Sequence, residues 1–303
     1  MRRSLWVEGS PDVSLSVMLI PPVMLIPSVL EEIRVENLLL DNTFVNEQYD
    51  AMTNPGSHLP VTTVQPPRLG LIGGMSWRST ADYYARINLA SESRRGAHRN
   101  VATLVDTLEF APLLEAGGRG AWDEVTAAVV AAGRRLEAAG CTAAALTSVT
   151  AHRCHAELEA ALGITVPHIL DPAAAYLAAH GLTRVGLLGT SRMLSAPAVQ
   201  ARLSGGGARA VVVPDAAVQA DLDRLILDRL TQGRVDAAGR WLLEAAAAAL
   251  RRDGVQAILL ACTELPLLLQ PERPGMADMI DAVALHVDHL CELVTDEMTD
   301  KPS

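Results

Sequence analysis

Arg68-Leu69-Gly70-Leu71-Ile72-Gly73-Gly74 recurs as Arg184-Val185-Gly186-Leu187-Leu188-Gly189-Thr190, 116 positions on. The run Ala143-Ala144-Ala145-Leu146-Thr147-Ser148 recurs as Ile258-Leu259-Leu260-Ala261-Cys262-Thr263, 115 positions on when Thr147 is laid over Cys262. Short apolar runs of this kind read as buried parallel strands. Two matched pairs at nearly one offset predict a duplicated α/β lobe, the halves related by a pseudo-twofold axis. Thr147 and Cys262 are then expected at equivalent strand ends, on opposite sides of a shared cleft. That geometry suits chemistry on two faces of one carbon, with a thiol on one face and only a hydroxyl on the other.

Outward from these runs the pattern alternates. Strands are expected at 68–73, 102–108, 143–148, 185–189, 209–213 and 255–261. Helical stretches fall at 77–92, 121–139, 152–162, 172–180, 195–203, 216–231 and 236–252. Alternation with short connections implies βαβ units. The fold class is α/β: two pseudo-symmetric lobes, each a mainly parallel sheet flanked by helices, with the active site in the interlobe cleft. Lobe one is expected over 67–164 and lobe two over 165–276. A last helix at about 282–298 would bring 277–303 back onto lobe one. Residues 1–66 carry three arginines against eight acidic residues and read as a poorly ordered extension. The apolar stretch 14–30 suggests a signal peptide or membrane span. Pro21, Pro22 and Pro27 interrupt it before the roughly 20 residues a span needs, so no membrane association is expected.

Composition narrows the chemistry. Half of the 303 residues are apolar and the net charge is −10, which argues against a nucleic-acid partner. The four cysteines fit neither a zinc ribbon nor a disulfide framework, pointing to a reducing cytoplasm. Lys301, close to the C-terminus, is the sole lysine. A pyridoxal phosphate enzyme needs an internal lysine for its Schiff base, so that cofactor is effectively excluded. Gly70 to Gly74 lacks the G-x-G-x-x-G spacing of a dinucleotide site. His152 with His155, and His286 with His289, have a spacing that could bind metal, but nothing completes a zinc set. No metal and no cofactor are expected.

In α/β sheets ligands collect outside the carboxyl ends of the strands. Gly73-Gly74-Met75-Ser76, Thr147-Ser148, Gly189-Thr190 and Cys262-Thr263-Glu264 all sit at such ends. Cys262 closes an aliphatic strand ahead of a helical turn that Thr263 can cap. Its thiolate is therefore expected to be stabilised by a helix N-terminus, with a lowered pKa. Cys141, Cys154 and Cys291 read as buried structural cysteines. Ser148 and Thr150 either cap the helix beginning near His152 or hold a substrate carboxylate. The Thr147 hydroxyl is too weakly acidic to replace a thiolate unaided.

Gly73-Gly74-Met75-Ser76-Trp77-Arg78-Ser79-Thr80, Tyr83-Tyr84, Ile87-Asn88, Pro167-His168-Ile169-Leu170-Asp171 and Ala261-Cys262-Thr263-Glu264-Leu265 resemble the aspartate/glutamate racemase family, particularly its broad amino-acid racemase branch. The resemblance runs over about 68–290 and implies a cofactor-independent racemase or epimerase. In that family two cysteines flank the amino-acid Cα, one removing the proton and the other returning it. Cys262 matches the second cysteine, and Thr147 stands at the place of the first. Val149 stands where an asparagine that contacts the substrate carboxylate is usual, and Arg78 where glutamate is usual. Cys262 is thus expected to be the main acid/base, with Thr147 orienting a water or His286 on the other face. Gly74, Met75, Ser76, Ser148, Val149, Thr150, Gly189, Thr190, Thr263, Glu264 and His286 are the expected substrate contacts. The partner is a small amino or carboxylic acid, and the assembly a homodimer. A one-cysteine decarboxylase or isomerase of the same superfamily, or a decayed ligand-binding homologue, are the alternatives.

Overall fold

The computed structural model describes residues 67–269 and 277–296. The expected extension at 1–66, the apolar stretch 14–30 and positions 297–298 of the last helix lie outside the described residues.

The first sheet holds β1 (Leu69–Gly73), β2 (Thr103–Thr107) and β3 (Ala143–Leu146), all parallel in the order β2-β1-β3. The second holds β4 (Arg184–Leu188), β5 (Ala210–Val212), β6 (Ala257–Leu260) and β7 (Met279–Asp281), all parallel in the order β5-β4-β6-β7. The order repeats from lobe to lobe, with β7 added at one edge. Every residue of β1, β3 and β6 is buried, which is why these strands read as unbroken apolar runs. Beyond the apolar core of each lobe, a third core built from Leu69, Leu71, Tyr83, Ile169, Leu187 and Leu259 spans both sheets.

Helices cover the sheets: α1 (Trp77–Arg95), α2 (Phe110–Arg119), α3 (Trp122–Ala138), α4 (His155–Ala161), α5 (Leu170–Ala179), α6 (Ser191–Leu194), α7 (Pro197–Ser204), α8 (Ala216–Asp228), α9 (Ala237–Arg252) and α10 (Ala282–Asp296). Local chemistry sets several starts. The Asp215 carboxylate accepts from the Ala217 and Val218 amides at 3.0 and 2.9 Å, and Asp236 accepts from Gly239 at 2.9 Å, so α8 and α9 begin on side-chain caps.

The structure departs from expectation in four places. Phe110–Arg119 is a helix in a stretch where no element is expected; Pro112 falls in the first turn, where a missing N–H is harmless. The helix expected at 152–162 starts as a 3-10 turn, Thr150–Cys154, before α4. The one expected at 195–203 is α7, opening on Pro197, and a separate unexpected turn, α6, precedes it. The segment 277–303, read as closing onto lobe one, begins instead as β7 on the second sheet. Its helix α10 then lies along α1, where Arg94 meets Asp288 and Glu292 at 3.1 and 3.3 Å, while Asp281, the last residue of β7, meets Arg86 at 2.5 Å. Among the described residues no helix is long and apolar enough to cross a membrane.

Gly74 turns the chain from β1 toward α1 at φ +93°, and a Cβ there would lie 1.9 Å from the Leu108 carbonyl oxygen. Both the left-handed backbone and the clash oppose a side chain. Gly74→Ala is expected to destabilise the fold by about 2–4 kcal/mol, read as a lower midpoint in urea unfolding.

Candidate active site

The sheet registers decide which residues occupy corresponding positions in the two sheets. Ile72 pairs with Leu146 in lobe one, and Leu188 with Leu260 in lobe two. One residue further, the Thr147 amide donates to the Ile72 carbonyl at 3.2 Å and the Ala261 amide donates to the Leu188 carbonyl at 2.8 Å. Thr147 therefore corresponds to Ala261, and Ser148 to Cys262. The expected equivalence of Thr147 with Cys262 is off by one residue, and a slip of one turns a side chain to the opposite face. Thr147 is fully buried (0 % exposed). Its hydroxyl lies 2.9 Å from that of Thr80 and donates to the Ile72 carbonyl at 3.3 Å.

A cavity of about 180 Å³ opens at the strand ends, with Ser148, Thr190, Cys262 and Glu264 among its polar lining. Ser148 is 9 % and Cys262 5 % exposed. Of the residues expected to touch substrate, Met75, Ser148, Val149, Thr150, Thr190, Cys262, Thr263 and Glu264 line this cavity. Gly74, Ser76, Thr147, Gly189 and His286 are not part of its wall. The Gly74 amide, expected to meet a carboxylate, instead donates to the Thr80 hydroxyl at 3.0 Å. At Gly189 a Cβ would lie 2.6 Å from the Ala261 carbonyl oxygen, so this glycine serves close strand packing. The buried Thr190 hydroxyl has no hydrogen-bond partner among the described residues, leaving it available to a ligand.

Cys262 does not sit under an α-helix. The chain after Glu264 makes a single 3-10 turn, Leu265–Leu268, which offers little of an α-helix's N-terminal field. The thiol instead donates to the Glu264 carboxylate at 3.3 Å. That carboxylate also accepts from the Thr263 hydroxyl at 2.7 Å and from Ser79 of α1 at 2.6 Å, tying lobe two to lobe one. Burial, and then the charge of Glu264, push the Cys262 pKa well above its ordinary value. The expected depression is thus reversed: the sulfur holds its proton, beside a carboxylate able to receive it.

The Asp/Glu/Hydantoin racemase family model matches residues 72–290. The chain belongs to this family. Among solved structures, a Yersinia pestis protein assigned to the Asp/Glu racemases is 27 % identical, with a TM-score of 0.68 over 76 % of this chain and 99 % of that one. An aspartate racemase homologue from Pyrococcus horikoshii OT3 is 24 % identical, with a TM-score of 0.65 over 75 % and 99 %. Aspartate racemase from Picrophilus torridus is 21 % identical, with a TM-score of 0.59 over 74 % and 94 %. The last two likenesses speak to the two-lobed racemase fold.

In this racemase-family chain His152, His155, His168 and His286 form a buried cluster away from the cavity wall. His152 and His168 have ring centroids 4.6 Å apart, His155 and His168 4.8 Å, and His152 and His286 5.9 Å. His152 Nδ1 donates to the Ser148 carbonyl at 2.8 Å while its Nε2 accepts from the Ile169 amide at 3.2 Å. That pairing fixes a neutral tautomer and holds the loop that carries Ser148. His286 Nδ1 meets the Tyr83 hydroxyl at 2.9 Å, so its expected place on the second face of the substrate is overturned. Burial lowers the His152 pKa to about 3, and lowers those of His168 and His286 as well. No group of three potential metal ligands with suitable geometry occurs among the described residues.

Ser79 and Thr80 were legible only as parts of a motif. Their roles, holding Glu264 and Thr147 respectively, depend on contacts between distant segments. Phe110, Trp122, Arg192 and Asp223 also line the cavity and carry no sequence signal beyond ordinary helix composition.

Proposed function

We propose that this racemase-family protein inverts the α-carbon of a small amino acid without a cofactor, using Cys262 as its acid/base. The observation that carries this reading is the matched placement of Cys262 and Ser148 at equivalent strand ends, both lining one cavity. As the sulfur takes the α-proton, its own proton passes to Glu264, and the C–H electron pair stays on carbon, delocalised into the substrate carboxylate. The hydroxyls of Thr190 and Thr150, both residues of the cavity lining, hold that carboxylate in this reading as charge develops. The proton returned on the other face comes from Ser148 or a water beside it. The absence of any lysine before Lys301 supports independence from pyridoxal phosphate.

Serine is a far weaker base than a thiolate, so the two faces are unequal. The antipodes have equal free energy, which forces kcat/KM to match in the two directions. The inequality therefore appears as exchange of the α-proton that outruns inversion, for the antipode whose C–H points at Cys262.

A chiral assay over a panel of L- and D-amino acids tests the reading. Ser148→Cys, which restores a matched thiol, is expected to raise the inversion rate at least about tenfold. Thr147→Cys is expected to leave it unchanged or lower it, because that side chain points into the Thr80 contact. A gain from Thr147→Cys with none from Ser148→Cys would overturn the assignment. The same one-sided thiol also suits a decarboxylase that protonates an enediolate from a single face; carbon dioxide release from substituted malonates, with no α-proton exchange on amino acids, selects that second reading.

A further inference from the structure

We infer that the group carried on the reacting carbon is aromatic or large aliphatic rather than a second carboxylate, an inference that rests on the α-carbon chemistry proposed above. The cavity lining has two sources. The strand ends around Cys262 supply polar groups. The covering helices supply Phe110, Leu113 and Leu114 of α2, Trp122 of α3, and Ile226 and Leu227 of α8.

Two of these side chains lie partly open to solvent. Leu114 is 40 % and Leu227 38 % exposed, and exposed apolar side chains converging on one cavity mark a binding surface. The whole cavity, polar and apolar parts together, measures about 180 Å³, the same order as the about 150 Å³ that accommodates benzene in an engineered apolar cavity. A phenyl or branched aliphatic group matches the wall in chemistry.

Charge points the same way. The charged residues lining the cavity are Arg192, Asp223 and Glu264, one cation against two anions. Asp223 accepts from the Ser191 amide and hydroxyl at 2.8 and 2.5 Å, and Glu264 is held by Ser79, Thr263 and Cys262. Arg192 is exposed beside Gly117, where water screens its field. A side-chain carboxylate brought against these apolar side chains would lose hydration.

Calorimetric binding of two unreactive acids separates the possibilities. The whole protein is expected to bind 3-phenylpropionate at least about tenfold more tightly than succinate. Leu114→Ala and Leu227→Ala, both partly exposed and so tolerable to the fold, should each weaken phenylpropionate about tenfold while leaving propionate unchanged. Tighter binding of succinate, or phenylpropionate binding indifferent to both substitutions, overturns the inference. If phenylpropionate binds and the variants weaken it, but no α-proton exchange occurs with phenylalanine, leucine or aspartate, the apolar subsite stands and the α-carbon reading alone falls.

Discussion

Replacing Cys262 by serine is expected to lower kcat/KM for inversion at least about a thousandfold, within the 10²–10⁴ range by which a positioned acid/base contributes. The substitution exchanges sulfur for oxygen with little change in shape, so the Glu264 network retains a donor at that position. What is lost is acidity, since a hydroxyl releases its proton several pKa units less readily than a thiol. Burial and the adjacent carboxylate already hold the Cys262 pKa above its ordinary value, leaving no margin for a weaker acid. The check is steady-state kinetics by chiral chromatography, paired with thermal unfolding. A near-normal rate in a folded variant would reduce Cys262 to a packed core residue.

The second large effect is on stability in acid. His152, His168 and His286 are held neutral in the folded protein by burial, His152 with a pKa of about 3. In the unfolded chain each titrates near 6.5. The unfolded state therefore binds more protons below that pH, and stability present above it is lost as pH falls toward the folded values. The loss approaches about 1.4 kcal/mol per pH unit for each histidine. For three it amounts to about 3 kcal/mol between pH 6.5 and 5.5, roughly 6–12 °C in Tm. The rings face one another, His155 and Tyr83, and the exposed Glu159 carboxylate, 3.9 Å from His155 Nδ1, pairs with that ring rather than with His152, His168 or His286. His152→Gln should flatten the slope by about a third. A Tm constant from pH 7 to 5 would show that the cluster admits protons without unfolding.

The fold was legible where burial is extreme. β1, β3 and β6 are sealed on both faces, so their sequences are apolar; β1 ends in Gly73, β3 runs on into Thr147-Ser148 and β6 into Ala261-Cys262. β7 has three residues and half-buried side chains, too little for periodicity to register. The repeat revealed two lobes but misplaced one site residue. Ile72 corresponds to Leu188, 116 positions on, whereas Leu146 corresponds to Leu260, 114 positions on. The lobes differ in loop length between those strands, and a single offset cannot carry both. With a side-chain period of two, that discrepancy exchanged a cavity residue, Ser148, for a buried one, Thr147.

The site's chemistry was legible in residue types and hidden in contacts. A cysteine at a strand end before Thr263 and Glu264 pointed to acid/base work. The direction of its pKa shift depended on how much helix follows and on where the Glu264 carboxylate turns, neither of which local sequence fixes. The apolar wall was invisible for a similar reason: Leu114 and Leu227 lie on helices more than a hundred residues apart in sequence and come to one cavity only through the fold.

The most direct measurement is proton NMR of the α-carbon signal in heavy water, starting from each antipode of one accepted amino acid. With the antipode whose C–H faces Cys262, the signal should vanish faster than optical activity is lost; with its mirror image, exchange and inversion should proceed together. Retention of the α-proton in both antipodes across the amino-acid panel, or identical exchange-to-inversion ratios from the two, would contradict a single working thiol opposed by Ser148.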